Sequence, residues 1–129
     1  MKKYILALAI IFMAINCMAL EVYNSQTKSN TSNVYTTAFL VPPQSLHTFV
    51  VKTTGITATG SIVVQFQGST ATTGTTDFFN LSGTSVNYTI SDNGSHGFSF
   101  EGKLKYVRVW IVSKSRNYTS AIINYMGGN

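Results

Sequence analysis

Catalysis needs titratable or nucleophilic side chains that can meet around a substrate, and this chain is thinly supplied with them. It holds four carboxylates, two histidines and a single cysteine, Cys17. Asp92 and His96 lie four residues apart in "DNGSH" and can approach each other across the turn that this sequence specifies. No further acid, histidine or thiol stands near them in sequence, and a metal or acid–base site needs that third partner. His47 stands alone in a strand-like run, where a histidine reads as a satisfied sheet residue. The serine-hydrolase elbow, the H-E-x-x-H pair and a phosphate-cradling glycine loop are all missing from the sequence. The expectation is a protein that is not an enzyme and carries no metal or cofactor.

One other group of residues could act through contact. In "LKYVRVWIV", Leu104 to Val112, alternate residues separate into Val107, Val109 and Ile111 on one side and Tyr106, Arg108 and Trp110 on the other. Residues two apart in a strand share a face at a spacing of about 7 Å, so the three form a stripe. Trp110 is the only tryptophan of the chain and Arg108 one of two arginines. An aromatic plane beside a guanidinium can stack on a sugar or serve as a protein hot spot. The competing expectation is architectural: the stripe is covered by the chain itself, with Arg108 lying across Trp110.

The elements that must carry the stripe are strands. Thr and Ser are abundant, and apolar residues alternate over short runs separated by Gly, Asn, Asp and Ser, which is an all-β pattern. The runs "VYTTAFLV", "SLHTFVVKTT", "SIVVQFQ", "DFFNLS", "SVNYTIS", "HGFSFE", "LKYVRVWIV" and "YTSAIINYM" read as strands. Val86, Tyr88 and Ile90 are expected to be buried, and Phe98 and Phe100 to point inward. Pro42-Pro43 ends the first run, because proline cannot donate to a ladder. "DNG" at Asp92–Gly94 signals a tight hairpin. About eight short strands predict a two-layer antiparallel β-sandwich of jelly-roll type over residues 34–129, with an up-and-down barrel as the alternative. Residues 20–33 are polar and read as a loose N-terminal arm with at most a short strand near Val22 and Tyr23. The Gly-Gly-Asn tail is expected to fray.

Residues 1–19 differ in kind. Lys2 and Lys3 precede an apolar run from Tyr4 to Ile15, and small residues end at Ala19, the layout of a secretory signal peptide cut after Ala19. The apolar run falls short of the ~20 residues that a membrane-spanning helix needs, although an uncleaved signal anchor is the alternative. Cys17 would be a lipid attachment site only if Ala14, Ile15 and Asn16 made a lipoprotein signal, and Asn16 fits that worst. The exported chain then keeps no cysteine, and contact with a membrane is confined to the signal segment. Seven cationic residues against four carboxylates leave it a net charge of +3, too mild to argue for nucleic acid, which demands a dense basic stripe. Five N-x-S/T sequons occur, at Asn30, Asn80, Asn87, Asn93 and Asn117. Glycans there would require those side chains to be exposed.

Residues 61–113 resemble the middle of galactose-binding-like, discoidin-type jelly rolls, and also β-sandwich modules of phage structural proteins. The residues that carry this are Gly68, Ser69, Phe78, Phe79, Tyr106, Val107, Arg108 and Val109. The resemblance implies a jelly roll with a binding or structural role. It brings no binding residue with it, since the discoidin-type ligand loops have no counterpart here, and the signal peptide departs from most virion proteins. The expected function is therefore that of an exported structural or interaction protein of a cell envelope, an extracellular fibre or a virion, secreted to an extracellular or periplasmic space. Its partners would be other proteins, including copies of itself. The alternative is a carbohydrate-binding module or adhesin that uses Tyr106, Arg108 and Trp110.

Overall fold

A computed structural model describes residues 21–41, 46–72, 76–81 and 87–128. Residues 1–19, where a signal peptide is expected, and Pro42-Pro43, Val86 and Asn129 lie outside the described residues. Among the described residues ten strands run in chain order: β1 (Glu21–Lys28), β2 (Val34–Tyr35), β3 (Phe39–Leu40), β4 (Leu46–Thr54), β5 (Ile62–Ser69), β6 (Phe79–Asn80), β7 (Tyr88–Ile90), β8 (Gly94–Glu101), β9 (Tyr106–Lys114) and β10 (Ser120–Gly128). The described residues contain no helix. The protein is an all-β, two-layer antiparallel sandwich, as the alternation predicts.

The pairings explain the layers. β1 pairs with β10, β2 and β3 with β9, β4 with β8, and β5 with β6 and β7, all antiparallel. These are the rungs of one long hairpin. Two more pairings, β10 with β4 and β9 with β5, roll that hairpin into two sheets. The first sheet has the order β1-β10-β4-β8, and the second β2-β9-β5-β6, with β3 also on β9 and β7 also on β5. This nesting is the jelly-roll arrangement.

Between the sheets lies a core built by strict alternation. Phe49 and Val51 of β4 and Ala121, Ile123 and Tyr125 of β10 meet Ile62, Val64 and Phe66 of β5 and Val107, Val109 and Ile111 of β9, all of them buried. Phe49 and Phe66 face each other across the layers with ring centroids 4.9 Å apart. Phe98 and Phe100 of β8 point inward onto Phe66, at 4.7 and 5.3 Å, and Tyr88 packs on both. Gly68 is required where β5 leaves the core, since a Cβ there would come within 2.8 Å of Leu104 and Leu81, which close that end.

Several local expectations need correction. The segment 21–28 is not loose: it is the edge strand β1, paired with β10 from Glu21↔Gly127 to Lys28↔Ala121. Polar side chains do not prevent this, because a ladder is made by the backbone, and contacts at Gln26, Asn30 and Thr31 hold β1 and the residues that follow it. Gln26 Oε1 accepts from Thr37 N at 2.8 Å while its Nε2 donates to Thr37 O at 3.0 Å. Tyr118 Oη accepts from Thr31 N at 3.2 Å and donates to Thr31 O at 3.1 Å. Lys114 Nζ donates to Asn30 O at 2.9 Å.

"VYTTAFLV" breaks into β2 and β3 because Thr36, between them, substitutes its hydroxyl for a backbone acceptor: Val109 N donates to Thr36 Oγ1 at 2.8 Å. Asp92–Gly94 is no hairpin. It carries the chain from β7 in one sheet to β8 in the other. Only Gly94 takes a positive φ there, 143°, while Asn93 clasps Ile56 by accepting from its N at 2.8 Å and donating to its O at 3.1 Å. The C-terminal glycines do not fray up to Gly128, which pairs with Leu46.

Candidate functional site

Strand β9 sits second in its sheet, between β5 on one side and β2 and β3 on the other, so its outer face is bordered on both flanks. Val107, Val109 and Ile111 point into the core at 0 to 1% exposure. Tyr106, Arg108 and Trp110 point outward together and are half-buried. Register places Gln65 opposite Trp110, Gln67 opposite Arg108 and Ser69 opposite Tyr106 on the β5 side. On the other side Tyr35 faces Trp110 and Leu40 faces Tyr106.

Each member of the stripe is already engaged. Trp110 stacks on Tyr35, ring centroids 5.3 Å apart and planes 17° from parallel. The Arg108 guanidinium lies between two rings, its Cζ 4.2 Å from the Tyr35 centroid and 3.9 Å from that of Phe78. Its Nε donates to Gln67 Oε1 at 2.7 Å. Tyr106 Oη reaches Thr72 O at 3.5 Å, the limit of a hydrogen bond. The stripe thus ties β2 and residues 72 and 78 to the sheet. Arg108 lies across Tyr35 and Phe78 rather than across Trp110.

Behind Arg108 runs a chain of amides. Gln67 Nε2 donates to Gln65 Oε1 at 2.9 Å and to Asn80 Oδ1 at 3.1 Å, and Gln65 Nε2 donates to Asn87 Oδ1 at 3.1 Å. Gln65 and Gln67 are only 5% and 8% exposed, so these bonds meet the cost of burying primary amides. One donor is left over: Trp110 Nε1 is buried and without a partner. Alternation in "SIVVQFQ" sets Gln65 and Gln67 on the outer side of their strand, but nothing in the sequence brings Tyr35, Phe78, Asn80 and Asn87 to the same face. Alternation with Val34 marks Tyr35 as outward in its own strand only. The burial of Gln65 and Gln67 has no signal in their own strand.

The remaining candidates are dispersed. His96 Nε2 and Asp92 Oδ1 do approach, to 3.8 Å, with Asp92 largely exposed. Among the described residues no three His, Cys, Asp or Glu side chains come together as a metal site would require. His47 is fully buried, its Nε2 2.7 Å from Gly102 O and its Nδ1 2.7 Å from Tyr125 Oη. A carbonyl only accepts, so Nε2 carries the proton and, in the neutral ring, Nδ1 accepts from the tyrosine. The five sequon asparagines are all exposed.

No family model, no curated protein and no solved structure matches this chain.

Proposed function

We propose that this is an exported, non-enzymatic structural or interaction protein of a cell envelope, an extracellular fibre or a virion, and that it works by protein contact through the outer face of the β9 sheet. The observation that carries this is where apolar surface remains. Among the described residues the exposed large hydrophobic side chains are Tyr35, Leu40 and Phe79, at 40, 66 and 47%; register sets Tyr35 and Leu40 on that outer face, while Phe79, opposite Gly68, lies on the core-facing side of the same sheet. Tyr35 and Leu40 flank the Tyr106–Arg108–Trp110 stripe directly. Tyr, Trp and Arg beside exposed aliphatic surface is the composition of a protein hot spot. A jelly roll serves virion shells and lectins alike, so the choice rests on this surface and not on the fold.

The experiment places a photo-crosslinking residue at Leu40, at Tyr35 or, as a control on the far edge, at Thr27, in cells that export the protein. Discrete protein adducts from positions 40 and 35 but not from 27 are expected. Equal adducts from all three, or none, overturn the reading. A second reading, a glycan platform, is favoured by the amide row beside the aromatic ladder. A glycan array decides it: binding that Trp110→Ala abolishes would establish a carbohydrate-binding module, and no binding removes it.

A further inference from the structure

The two ends of the first sheet are finished differently. At one end β1 carries a register shift between Val22 and Asn24 and closes on Lys28, and bulges and lysines are devices that keep a sheet edge from pairing with another chain. At the other end β8 has neither. It runs eight residues, GSHGFSFE, in unbroken register with β4 from Gly94↔Thr53 to Glu101↔Leu46. It contains no proline and no lysine, and its one charged residue is the last. Its outward row, Ser95, Gly97, Ser99 and Glu101, is exposed, and the space beside Gly97 is open, since a Cβ there would meet nothing within 4 Å. Its inward row, His96, Phe98 and Phe100, stays half-buried at the margin of the core.

Such an edge presents every second backbone N–H and C=O to whatever lies beside it, and the group that matches that spacing is another extended strand. We infer that β8 is a dimerisation edge and that its partner is β8 of a second copy, paired antiparallel about a two-fold axis. The sequence of the strand fits itself. With Phe98 opposite the second copy's Phe98, the inward row aligns His96 with Phe100, and the outward row aligns Gly97 with Ser99 and Ser95 with Glu101. Aromatic residues meet aromatic residues on the core side, small residues meet on the solvent side, and the two glutamates stand at opposite ends. The pairing would join two four-stranded sheets into one of eight and cover the half-exposed Phe98 rings. This edge is separate from the β9 face, so either proposal can fail without the other.

The register supplies the test. Gly97→Lys with Ser99→Lys sets lysine opposite lysine twice across the two-fold, whereas Gly97→Lys with Ser99→Glu sets lysine opposite glutamate twice. Sedimentation equilibrium at low salt, where surface charge is least screened, should show a wild-type dimer. The doubly basic variant should dissociate, and the mixed-charge variant should remain dimeric with a dissociation constant at least about tenfold lower than the doubly basic one. Circular dichroism checks that both variants fold. A second measurement needs no substitution: in the wild-type protein, hydrogen-exchange protection of alternate β8 amides should rise with protein concentration while that of β1 does not. The inference is overturned by a wild type that stays monomeric at roughly 1 mM, by two variants that associate equally, or by β8 protection that ignores concentration.

Discussion

The outer faces of the two sheets are finished differently. On the β10–β4 side the outward residues mix polar side chains (Thr48, Lys52, Thr54, Ser120) with apolar ones (Val50, Ile122, Met126) and are half-buried or exposed; Thr48 meets Ser99 at 3.0 Å and Thr54 meets Ser120 at 2.8 Å. Strand β4 alternates buried and less buried residues almost throughout its length. On the β9–β5 side, β5 from Val64 onward is buried on both faces, because Arg108, Trp110 and their ring partners cover its glutamines. One sheet is a single-sided wall, and the other is a wall with a second, polar layer on its back. Both are antiparallel and both belong to the same rolled hairpin. What separates them is the cover that long side chains, and the segments those side chains hold, place on one of them.

The core between the two walls belongs to both and gives the largest expected effect. Phe66 is fully buried and touches Phe49, Tyr88, Phe98 and Phe100, so Phe66→Ala should cost about 3–5 kcal/mol. Urea unfolding followed by tryptophan fluorescence measures it. A loss under about 1 kcal/mol would mean that the aromatic cluster is not the centre of the fold.

The second layer comes next. Gln67→Leu keeps the size of the side chain but removes the acceptor of Arg108 Nε and the donor to Gln65 and Asn80. Depriving a guanidinium and two amides of their shared partner in a site that is 8% exposed should cost about 2–3 kcal/mol. Arg108→Met preserves much of the stem but ends the double ring contact and should cost about 1 kcal/mol. Its more telling readout is local: hydrogen exchange in residues 76–81 should accelerate while β4 is unchanged. Uniform acceleration would show that Arg108 does not act by holding Phe78.

The contrast between the sheets also explains what could be read from the sequence. Wherever one face of a strand meets the core and the other meets water, alternation declares itself; β4, β9 and β10 are legible for that reason, down to Val107, Val109 and Ile111. The stripe of Tyr106, Arg108 and Trp110 was legible as a face but not in its contacts. Tyr35 and Phe78 come from segments 73 and 30 residues away from Arg108, and no local pattern specifies which ring a guanidinium will choose. The arm escapes a reading by hydrophobicity because β1 is held at an edge by backbone pairing and by Gln26, with Thr31 and Lys114 fixing the residues that follow. The turn at Asp92–Gly94 was recognised as a turn, but a dipeptide carries no information on whether the next strand returns to the same sheet.

The smallest expected effect makes the comparison sharpest. Thr48→Val on the open face is the same kind of change as Gln67→Leu on the covered one: an outward polar side chain in a strand becomes an apolar one of similar size. Thr48 gives up one hydrogen bond to Ser99 at an exposed position, where water can replace either partner, and gains a residue that suits a strand. Its unfolding free energy should therefore stay within about 0.5 kcal/mol of wild type. The two variants, measured side by side, separate burial from polarity. If the open-face change costs as much as the covered one, then the amide layer on β5 confers nothing beyond an ordinary surface hydrogen bond. If Thr48→Val is neutral while Gln67→Leu is not, the cost follows the cover that Arg108 and its rings provide.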